Sequence, residues 1–316
     1  MSILVLGGTG FIGRRIIQKL VARGEEIVVM DIAPRPASFD EFGNQVRVVR
    51  GDVSRFEDVM EATLAAKPSR VLTLAFLMGS DFPPHTAFRV NIQGVENCFE
   101  AARLADVPRV VFTSSLAVNG EQNMFGDHHV NETDGRYGTY QYAMHKIVNE
   151  FQAKDYRDKY GMEITALRPA NVAGHDKVIG SVDHVQVITA AAREESITFP
   201  YRDMMRCVIH VDDVAETFAQ VLLKDKPDFD TYNTGGTTYS LGELAELAKE
   251  FLPDADIRFT NETGGAANCT NYLIDNSRLL GEFTELNFPP YRQRALEIIN
   301  DARREIGLPE VTDPKA

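Results

Sequence analysis

The sequence has few cysteines and no long apolar run. Its 316 residues include only Cys98, Cys207 and Cys269, and their wide spacing fits neither a disulfide framework nor a metal site. No stretch approaches the roughly 18–20 consecutive apolar residues of a membrane-spanning helix. The first predicted strand begins at residue 3, so we expect no signal peptide. These absences favour a cytoplasmic protein in a reducing environment.

Positive charge is also scarce, since 33 Lys and Arg residues stand against 46 Asp and Glu residues, a net charge of −13 at pH 7. We therefore expect neither nucleic acid nor an anionic membrane surface as the main partner. Repeats, low-complexity tracts and flexible linkers are absent, and the length fits one large domain or two unequal ones. His128 and His129 lack the neighbouring carboxylates or cysteines of a metal site, and no metal is predicted.

A glycine-rich segment near the amino terminus is the strongest functional signal. Residues 3–6 form an apolar run typical of a buried strand, residues 7–13 read Gly-Gly-Thr-Gly-Phe-Ile-Gly, and an amphipathic helix follows. In such a strand–turn–helix unit Gly7 permits the sharp turn, Gly10 lets the backbone approach a pyrophosphate, and Gly13 lets the helix pack closely. The helix amino terminus favours phosphate groups. The segment predicts a dinucleotide site.

The next predicted strand, residues 26–30, supports this interpretation because it ends in Asp31. A carboxylate about 20 residues beyond the glycines accepts hydrogen bonds from the adenosine ribose and repels a 2′-phosphate. NAD is therefore the expected cofactor. Two nearby cations, Arg14 and Arg35, leave NADP open as an alternative.

Strand-like and helix-like segments alternate through the first two-thirds of the chain. Further strands are predicted at 46–49, 70–74, 109–113 and 163–167, and helices at 54–66 (capped by Ser54), 84–105 and 139–160. This alternation predicts right-handed crossovers and a Rossmann-type α/β fold, a doubly wound parallel sheet with helices on both faces.

The alternation loosens after Pro169. We expect irregular segments around a helix near 180–195, a helix at 211–224 and a helix at 241–252 capped by Ser240. Residues 254–290 are expected to contain a Gly/Ala/Asn-rich loop, followed by a last helix near 290–306 and a frayed tail at 311–316. The prediction is an NAD-binding domain over residues 1–170. A smaller substrate-binding lobe over 171–316 follows, with segments that return to the core.

A tyrosine and a lysine, Tyr142 and Lys146, lie four residues apart on the predicted helix 139–160 and therefore share one helix face. A phenol with a pKa of about 10 is a poor base at neutral pH, but a neighbouring ammonium group favours the phenolate. Tyr142 is the candidate acid/base. Tyr137 and Tyr140 have no lysine four residues on.

A run of hydroxyl residues, 113–115, closes the fifth predicted strand at the carboxyl edge of the sheet, where such folds bind ligands. Ser115 is the candidate for orienting a substrate oxygen towards Tyr142. With Lys146, these residues form the predicted catalytic group.

Together these motifs resemble the extended short-chain dehydrogenase/reductases, the NAD-dependent epimerase/dehydratase family, over almost the whole chain. The resemblance rests on the following segments: residues 7–13, Gly51-Asp52-Val53, Leu74-Ala75, Asn91 in Asn-Ile-Gln-Gly-Val-Glu-Asn, Thr-Ser-Ser at 113–115, Tyr142 with Lys146, Leu-Arg-Pro-Ala-Asn-Val at 167–172 and His-Val-Asp-Asp-Val-Ala at 210–215.

The resemblance implies an oxidoreductase step, a hydride transfer between a carbinol carbon and nicotinamide, with Tyr142 as the acid/base. It implies a pyrophosphate site at Gly7, Gly10, Phe11 and Ile12, a ribose contact at Asp31, and a nicotinamide-ribose contact at Lys146. The remaining cofactor contacts implied are Asp52 and Val53 at the adenine, and Leu74, Ala75, Asn91 and Pro169 along the cleft. It also implies a homodimer formed through the helices at 84–105 and 139–160.

Departures from the family pattern reduce the number of reactions and substrates that we expect. Leu116 and Ala117 follow Ser115 where dehydratases carry an Asp-Glu pair, so sugar dehydration is not expected. A nucleotide sugar is disfavoured, because Gly and Ala residues stand where a second phosphate-binding arginine is usual. The substrate contacts expected are Ser115, Asn119, Asn171, Arg206 and Met78.

Three functions from different classes remain. The first is a net dehydrogenase or reductase acting on a small-molecule secondary alcohol, and the second is an epimerase that keeps NAD bound. The third is a dinucleotide-sensing regulator, which is disfavoured because such proteins usually lose the tyrosine or the lysine.

Overall fold

The computed structural model describes residues 2–78 and 82–315. The strands within these ranges are β1 (Ser2–Leu6), β2 (Glu26–Asp31), β3 (Val46–Arg50), β4 (Arg70–Thr73), β5 (Arg109–Thr113), β6 (Glu163–Arg168), β7 (Asn171–Ala173), β8 (Ile197–Tyr201), β9 (Met205–His210), β10 (Thr231–Asn233), β11 (Thr237–Ser240) and β12 (Ile257–Asn261). The α-helices are α1 (Phe11–Val21), α2 (Phe56–Ala66), α3 (Pro84–Phe88), α4 (Gly94–Leu104), α5 (Gln141–Tyr160), α6 (Asp183–Ala192), α7 (Val211–Leu223), α8 (Leu241–Phe251), α9 (Ser277–Glu282) and α10 (Tyr291–Glu305).

Seven strands form one parallel sheet in the order β10-β6-β5-β4-β1-β2-β3. The chain runs outward from β1 through β2 to β3, then returns to place β4 on the other side of β1. The crossovers from β1 and from β4 therefore diverge, which opens a crevice at the carboxyl ends of these two strands. The predicted Rossmann-type fold is confirmed.

The alternation of β1 side chains explains the two-sided core. Ile3 and Val5 pack in one cluster with α1 and α7, while Leu4 and Leu6 pack in another with α2, α4 and α5. Successive side chains of a strand point to opposite faces, so a strand buried on both sides reads as a continuous apolar run. All four side chains are fully buried.

Residues beyond 170 build most of a smaller lobe. β11, β9 and β7 form a three-stranded sheet, β12 pairs with β8, and α6, α8 and α10 surround a third apolar cluster. Two later elements return to the large sheet and its helices. β10 forms an edge strand of that sheet, and α7 packs against α1. In the described ranges, no helix is both long and apolar enough to cross a membrane.

Two helix predictions need correction. The helix expected over 84–105 is divided, because a π-helical segment, Arg89–Gln93, lies between α3 and α4. Ser54 does not cap the second helix: α2 begins at Phe56, and its preceding residue, Arg55, makes no side-chain capping bond. In contrast, Ser240 caps α8 as predicted, within a capping box with Glu243.

The carboxyl-terminal third is more ordered than expected. The segments predicted to be irregular contain β7, β8 and β9, and residues 254–290, predicted to contain a Gly/Ala/Asn-rich loop, also contain β12 and α9. The tail is held rather than frayed. Asn300 exchanges hydrogen bonds of 3.0 and 2.9 Å with the Val311 backbone, and Arg292 pairs with Asp313 at 2.5 Å.

Candidate active site

The glycine turn brings β1, β4 and α1 into close contact. Gly7 has φ of +82° and donates its N–H to the Met30 carbonyl at 2.8 Å; a Cβ on Gly7 would lie 2.6 Å from the Ala75 nitrogen. A Cβ on Gly13 would lie 2.5 Å from the Gly8 carbonyl oxygen. Both positions require glycine, one for conformation and space and the other for the approach of the helix to the turn.

Gly10 serves a different purpose because it faces open space. A Cβ there would meet only the Gly7 carbonyl oxygen, at 3.8 Å. The amides of Phe11 and Ile12 start α1 and have no intrahelical acceptor. A small backbone surface, free amides and the positive end of the helix dipole together fit a dinucleotide pyrophosphate.

Asp31 is positioned at the carboxyl end of β2 by three hydrogen bonds. One carboxylate oxygen accepts the Thr9 hydroxyl at 2.7 Å and the Thr9 amide at 3.2 Å, and the other accepts the Ala33 amide at 3.2 Å. Arg14, which left NADP open, pairs with Asp176 at 2.6 Å. The orientation of Asp31 fits its predicted role at the adenosine ribose.

The next cofactor candidates follow β3 and β4 at the same sheet edge. Asp52 accepts the Ser54 amide at 2.9 Å, and the carbonyl of the buried Val53 accepts the Asn97 side chain at 2.8 Å. The amides of Leu74 and Ala75 both donate to the carbonyl of Leu6, the residue before Gly7. The structure thus gathers these residues around the crevice.

Asn91, within the π-helical segment, holds the loop that follows β4. Its side chain accepts the Leu77 amide at 2.8 Å, donates to the Leu77 carbonyl at 3.0 Å, and lies 3.2 Å from the His145 ring nitrogen. Asn91 is buried, so its contribution to a cofactor site passes through the loop it holds. Pro169, after β6, accepts the Leu116 amide at 3.2 Å and thereby joins the ends of β5 and β6.

Ser115 and Tyr142 meet at the carboxyl end of β5. The serine hydroxyl accepts the Ala117 amide at 3.2 Å, and the Ser115 side chain lies close enough to the Tyr142 phenol to lower the pKa of that phenol. Burial raises the pKa of Tyr142 to about 12, and the neighbouring Ser115 side chain opposes that rise. Two aromatic rings flank the phenol: Tyr140 is stacked at 6.2 Å between centroids, and Phe76 approaches edge-on at 5.3 Å.

Lys146 lies one helical turn beyond Tyr142 and is almost fully buried. Its Nζ donates to the Thr113 carbonyl at 2.5 Å and lies 3.6 Å from the centre of the Phe76 ring and 5.8 Å from that of Tyr142. Burial lowers the pKa of Lys146 to about 7, against the opposing charge of Glu150. Burial is therefore the largest influence on the pKa values of both Tyr142 and Lys146. The lowering of the Tyr142 pKa by Lys146 stays a prediction.

Glu150 is a central residue that the sequence analysis missed. It accepts the Ser114 hydroxyl at 2.6 Å, a two-point ion pair from Arg168 at 2.7 and 2.8 Å, and Arg136 at 2.7 Å. Burial alone would raise the pKa of Glu150, but Arg168, Ser114 and Arg136 together outweigh burial and lower the pKa to about 2. Its position four residues after Lys146 was the available signal, since this spacing continues the catalytic face of α5.

Arg206 and Asn171, two predicted substrate contacts, lie on the neighbouring strands β9 and β7. Arg206 forms a two-point ion pair with Asp183, with Nε to Oδ1 at 3.1 Å and Nη2 to Oδ2 at 2.6 Å. The sequence analysis did not anticipate this partner. The side-chain oxygen of Asn171 is buried and has no hydrogen-bond partner among the residues that the structure describes.

The other two substrate candidates differ in accessibility. Asn119 is buried, and its amide nitrogen donates to the Gly135 carbonyl at 3.0 Å, so this donor holds a neighbouring loop. Met78 is 37 % exposed and lies against Gly180, where a Cβ would be 2.8 Å from the Met78 methyl carbon. Within residues 2–78 and 82–315, no three His, Cys, Asp or Glu side chains are grouped to hold a metal ion.

Comparison with known proteins identifies the family of this chain and several similar proteins. The profile of the NAD dependent epimerase/dehydratase family matches residues 3–235. UDP-glucose 4-epimerase from Lacticaseibacillus casei is 30% identical over 287 residues, which are 88% of this chain and 80% of that protein. dTDP-4-dehydro-6-deoxy-D-allose reductase from Streptomyces sp is 26% identical over 293 residues, 88% of this chain and 89% of that protein. The structure of the Thermus thermophilus UDP-glucose 4-epimerase complexed with NAD has a similar fold, with a TM-score of 0.82, 24% identity, and coverage of 96% of this chain and 99% of that one.

Proposed function

Since the chain belongs to the NAD dependent epimerase/dehydratase family, we propose that it is a dehydrogenase that interconverts a small secondary alcohol and its ketone with exchangeable NAD. Family membership makes the protein an NAD-dependent enzyme. The observation that carries the proposal is the placement of Tyr142 and Lys146 one helical turn apart on α5, with the Lys146 Nζ 5.8 Å from the centre of the Tyr142 ring and Ser115 beside the phenol.

Each catalytic side chain has a distinct task. Ser115 donates a hydrogen bond to the substrate oxygen and holds it against the phenol. Tyr142 accepts the hydroxyl proton during oxidation of the alcohol and returns it during reduction of the ketone. Lys146, when protonated, stabilises the phenolate by Coulomb attraction. When bound, NAD supplies the hydride acceptor at C4 of its nicotinamide.

Residues of the crevice would hold NAD in this scheme. Gly7, Gly10 and the first amides of α1 support the pyrophosphate, and the oriented carboxylate of Asp31 accepts the ribose hydroxyls. A 2′-phosphate would meet the negative charge of Asp31, so we propose a preference for NAD over NADP. Titration with both dinucleotides measures this preference.

An epimerase with retained NAD is the second candidate function. It is favoured by the 30% identity to UDP-glucose 4-epimerase from Lacticaseibacillus casei. Ser115, Tyr142 and Lys146 serve either reaction equally well, because each requires a hydroxyl proton to be removed. The two are separated by the cofactor balance, since only a net dehydrogenase accumulates free NADH.

The first experiment follows nicotinamide absorbance and product stereochemistry together, over a panel of 3-hydroxy amino acids, hydroxy acids, aldoses and UDP-hexoses. We expect stoichiometric NADH with one substrate class. Inversion of a sugar without net NADH would instead identify an epimerase.

Tyr142→Phe tests the mechanism. Removal of the phenolic hydroxyl is expected to lower kcat by about 10²–10⁴-fold, since positioned acid/base groups contribute that much, while NAD affinity is retained. Tyr140→Phe is the matched control, because its ring stacks on Tyr142 but no lysine follows it by four residues. If Tyr142→Phe retains full activity, Tyr142 is not the acid/base and the proposed mechanism is wrong.

We also propose that the protein is a homodimer formed through α4 and α5. Phe151, Tyr160, Met144 and Leu104 are large apolar side chains exposed on these helices, and the Phe151 side chain is 67% exposed. Exposed apolar patches of this kind mark association surfaces.

A further inference from the structure

Arg206 has its hydrogen-bonding edge already occupied within the protein. Asp183 takes both Nε and Nη2, and the remaining terminal nitrogen, Nη1, donates to the Met205 carbonyl at 2.8 Å. The Nε/Nη2 edge is the planar fork with which an arginine binds a phosphate or carboxylate in two places. An incoming phosphate must therefore displace Asp183 before it can use this fork.

Asp183 is itself held in place. It opens α6, where a carboxylate is favoured by the helix dipole, and its Oδ1 accepts the amide of His184 at 2.8 Å. The Arg206 and Asp183 side chains are only 12% and 26% exposed. Displacing the carboxylate would leave a largely buried negative charge next to the incoming phosphate, and both desolvation and like-charge repulsion oppose this.

A second cation, Lys177, lies in the same region. Its Nζ donates to the Val172 carbonyl at 2.8 Å, and the ring of His184 lies 3.1 Å from that same oxygen. No carboxylate lies within 4 Å of this Nζ in the described part of the chain. Burial lowers the pKa of Lys177 to about 8, so the amine is mostly protonated at neutral pH. One net positive charge therefore remains.

The cluster lies on the three-stranded sheet, on the segment of chain that follows β6 of the large sheet. Pro169 joins this edge to the residue after Ser115, and Asn171 and Val172 follow two and three residues later. Lys177 and His184 contact Val172, and Asp183 contacts Arg206. Hydrogen bonds and short stretches of chain thus connect Ser115 to the ion pair.

We propose that Asp183 is a specificity-determining residue: by occupying Arg206 it excludes nucleoside diphosphate substrates, and it leaves Lys177 to bind a single carboxylate of a hydroxy-acid substrate. This inference rests on the proposed dehydrogenase function and names the substrate class of that site. A sugar nucleotide carries a diphosphate that needs more positive charge than one lysine supplies, whereas one carboxylate is matched by it.

The test is equilibrium titration of the NAD-saturated enzyme with UDP. Asp183→Asn keeps the shape of the side chain but frees the Arg206 fork, so UDP affinity is expected to rise by at least about tenfold, the effect of one charge-assisted contact. The double variant Asp183→Asn/Arg206→Gln should lose that gain and return to within twofold of the wild type. Glu246→Gln, which removes one of the two carboxylate partners of the partly exposed Arg202 with the same change in net charge, is the control.

Two results overturn the exclusion. One is an Asp183→Asn protein whose UDP affinity equals that of the wild type. The other is a wild-type protein that binds UDP at least tenfold more tightly than the double variant, because Arg206 would then already bind the diphosphate. The second comparison does not need the single variant to fold, and the double variant removes both members of the ion pair, so neither is left without the other.

The positive half of the proposal is tested with 3-hydroxybutyrate and its uncharged amide as probes. The wild type should bind the acid more tightly than the amide, and Lys177→Gln should abolish the difference. A wild type that fails to distinguish the two probes, or a variant that still does, overturns the role of Lys177.

These titrations measure binding and do not depend on turnover. Loss of the UDP gain with an inactive Tyr142→Phe enzyme would reject the substrate class and leave the dehydrogenase mechanism standing. If UDP affinity rises as expected but Tyr142→Phe is fully active, the dehydrogenase mechanism is rejected and the exclusion of diphosphates by Asp183 stands.

Discussion

Lys146 and Glu150 lie one helical turn apart on α5, and each carries an ionisable group that is almost fully buried. Their pKa values move for different reasons: burial lowers that of Lys146 to about 7, while the ion pair with Arg168 lowers that of Glu150 to about 2. Glu150 remains charged over the whole physiological range, and Lys146 titrates within it. Of these two groups, Lys146 is therefore the one whose protonation state changes near neutral pH.

The free energy of unfolding should reveal this titration. Because the pKa of Lys146 is about 7 in the folded protein and about 10.4 in the unfolded chain, the unfolded state binds more protons between these values. Relative to Lys146→Met, the wild type should gain stability as the pH rises through this window. The slope is at most about 1.4 kcal/mol per pH unit.

Urea unfolding at about pH 7 and about pH 9 measures the effect in the enzyme without added cofactor. Lys154→Met, the same substitution at an exposed lysine of α5, is the control and should run parallel to the wild type. Parallel pH dependences for the wild type and Lys146→Met would contradict the assignment.

At the scale of elements, the site depends on how strands and helices end. Gly7 lets β1 turn into α1 against the start of the loop after β4, and Asn91 in the π-helical segment anchors that loop through Leu77. π-Helical turns occur often at functional sites, since they redirect a side chain without ending the helix. Sequence periodicity does not distinguish such a turn from an uninterrupted helix, which explains the single helix predicted over 84–105.

Gly7→Ala tests the close contact at the glycine turn. Gly24 has the same φ of +82° but open space around it, so Gly24→Ala is a control that reports backbone strain alone, about 1–2 kcal/mol. At Gly7 the added Cβ also collides with the Ala75 backbone, and the turn must shift. We expect at least about a tenfold loss of NAD affinity for Gly7→Ala only, measured by calorimetric titration. Equal affinities of the two variants would refute the role of this contact.

At the scale of the whole molecule, α4 and α5 cover one face of the large sheet and leave apolar side chains in solvent. The described lobe instead closes around its own core of α6, α8 and α10. The proposed dimer would bury the exposed apolar side chains of α4 and α5 and leave the surface of the smaller lobe in solvent.

Phe151→Glu should convert the dimer to a monomer, because a charge at the centre of an apolar interface is left without a partner. Sedimentation velocity measures the mass in solution. Ile306→Glu, the same change at an exposed apolar residue after α10, should leave the mass unchanged. A wild-type monomer, or a dimer of Phe151→Glu, rules out this interface.

Local patterns in the sequence were sufficient for the central parallel sheet, the glycine turn and the pairing of Tyr142 with Lys146. The physical reason is that a strand alternates every two residues and a helix repeats every 3.6, so spacing alone determines which side chains share a face. Short strands such as β7, with three residues, carry too little of this periodicity to be recognised.

Only the tertiary structure decided the contacts between distant segments. Asp183 meets Arg206 because α6 packs against β7, the strand next to β9, and Arg168 meets Glu150 because β6 lies against α5. Asn119 donates to a backbone carbonyl and is buried, although its position suggested a substrate contact. Burial and ion pairing depend on which segments pack together, and a side chain's identity does not contain that information. The sequence by itself therefore determined the family and the fold and placed Tyr142 and Lys146 on one helix face, while packing decided which charged side chains are paired within the protein.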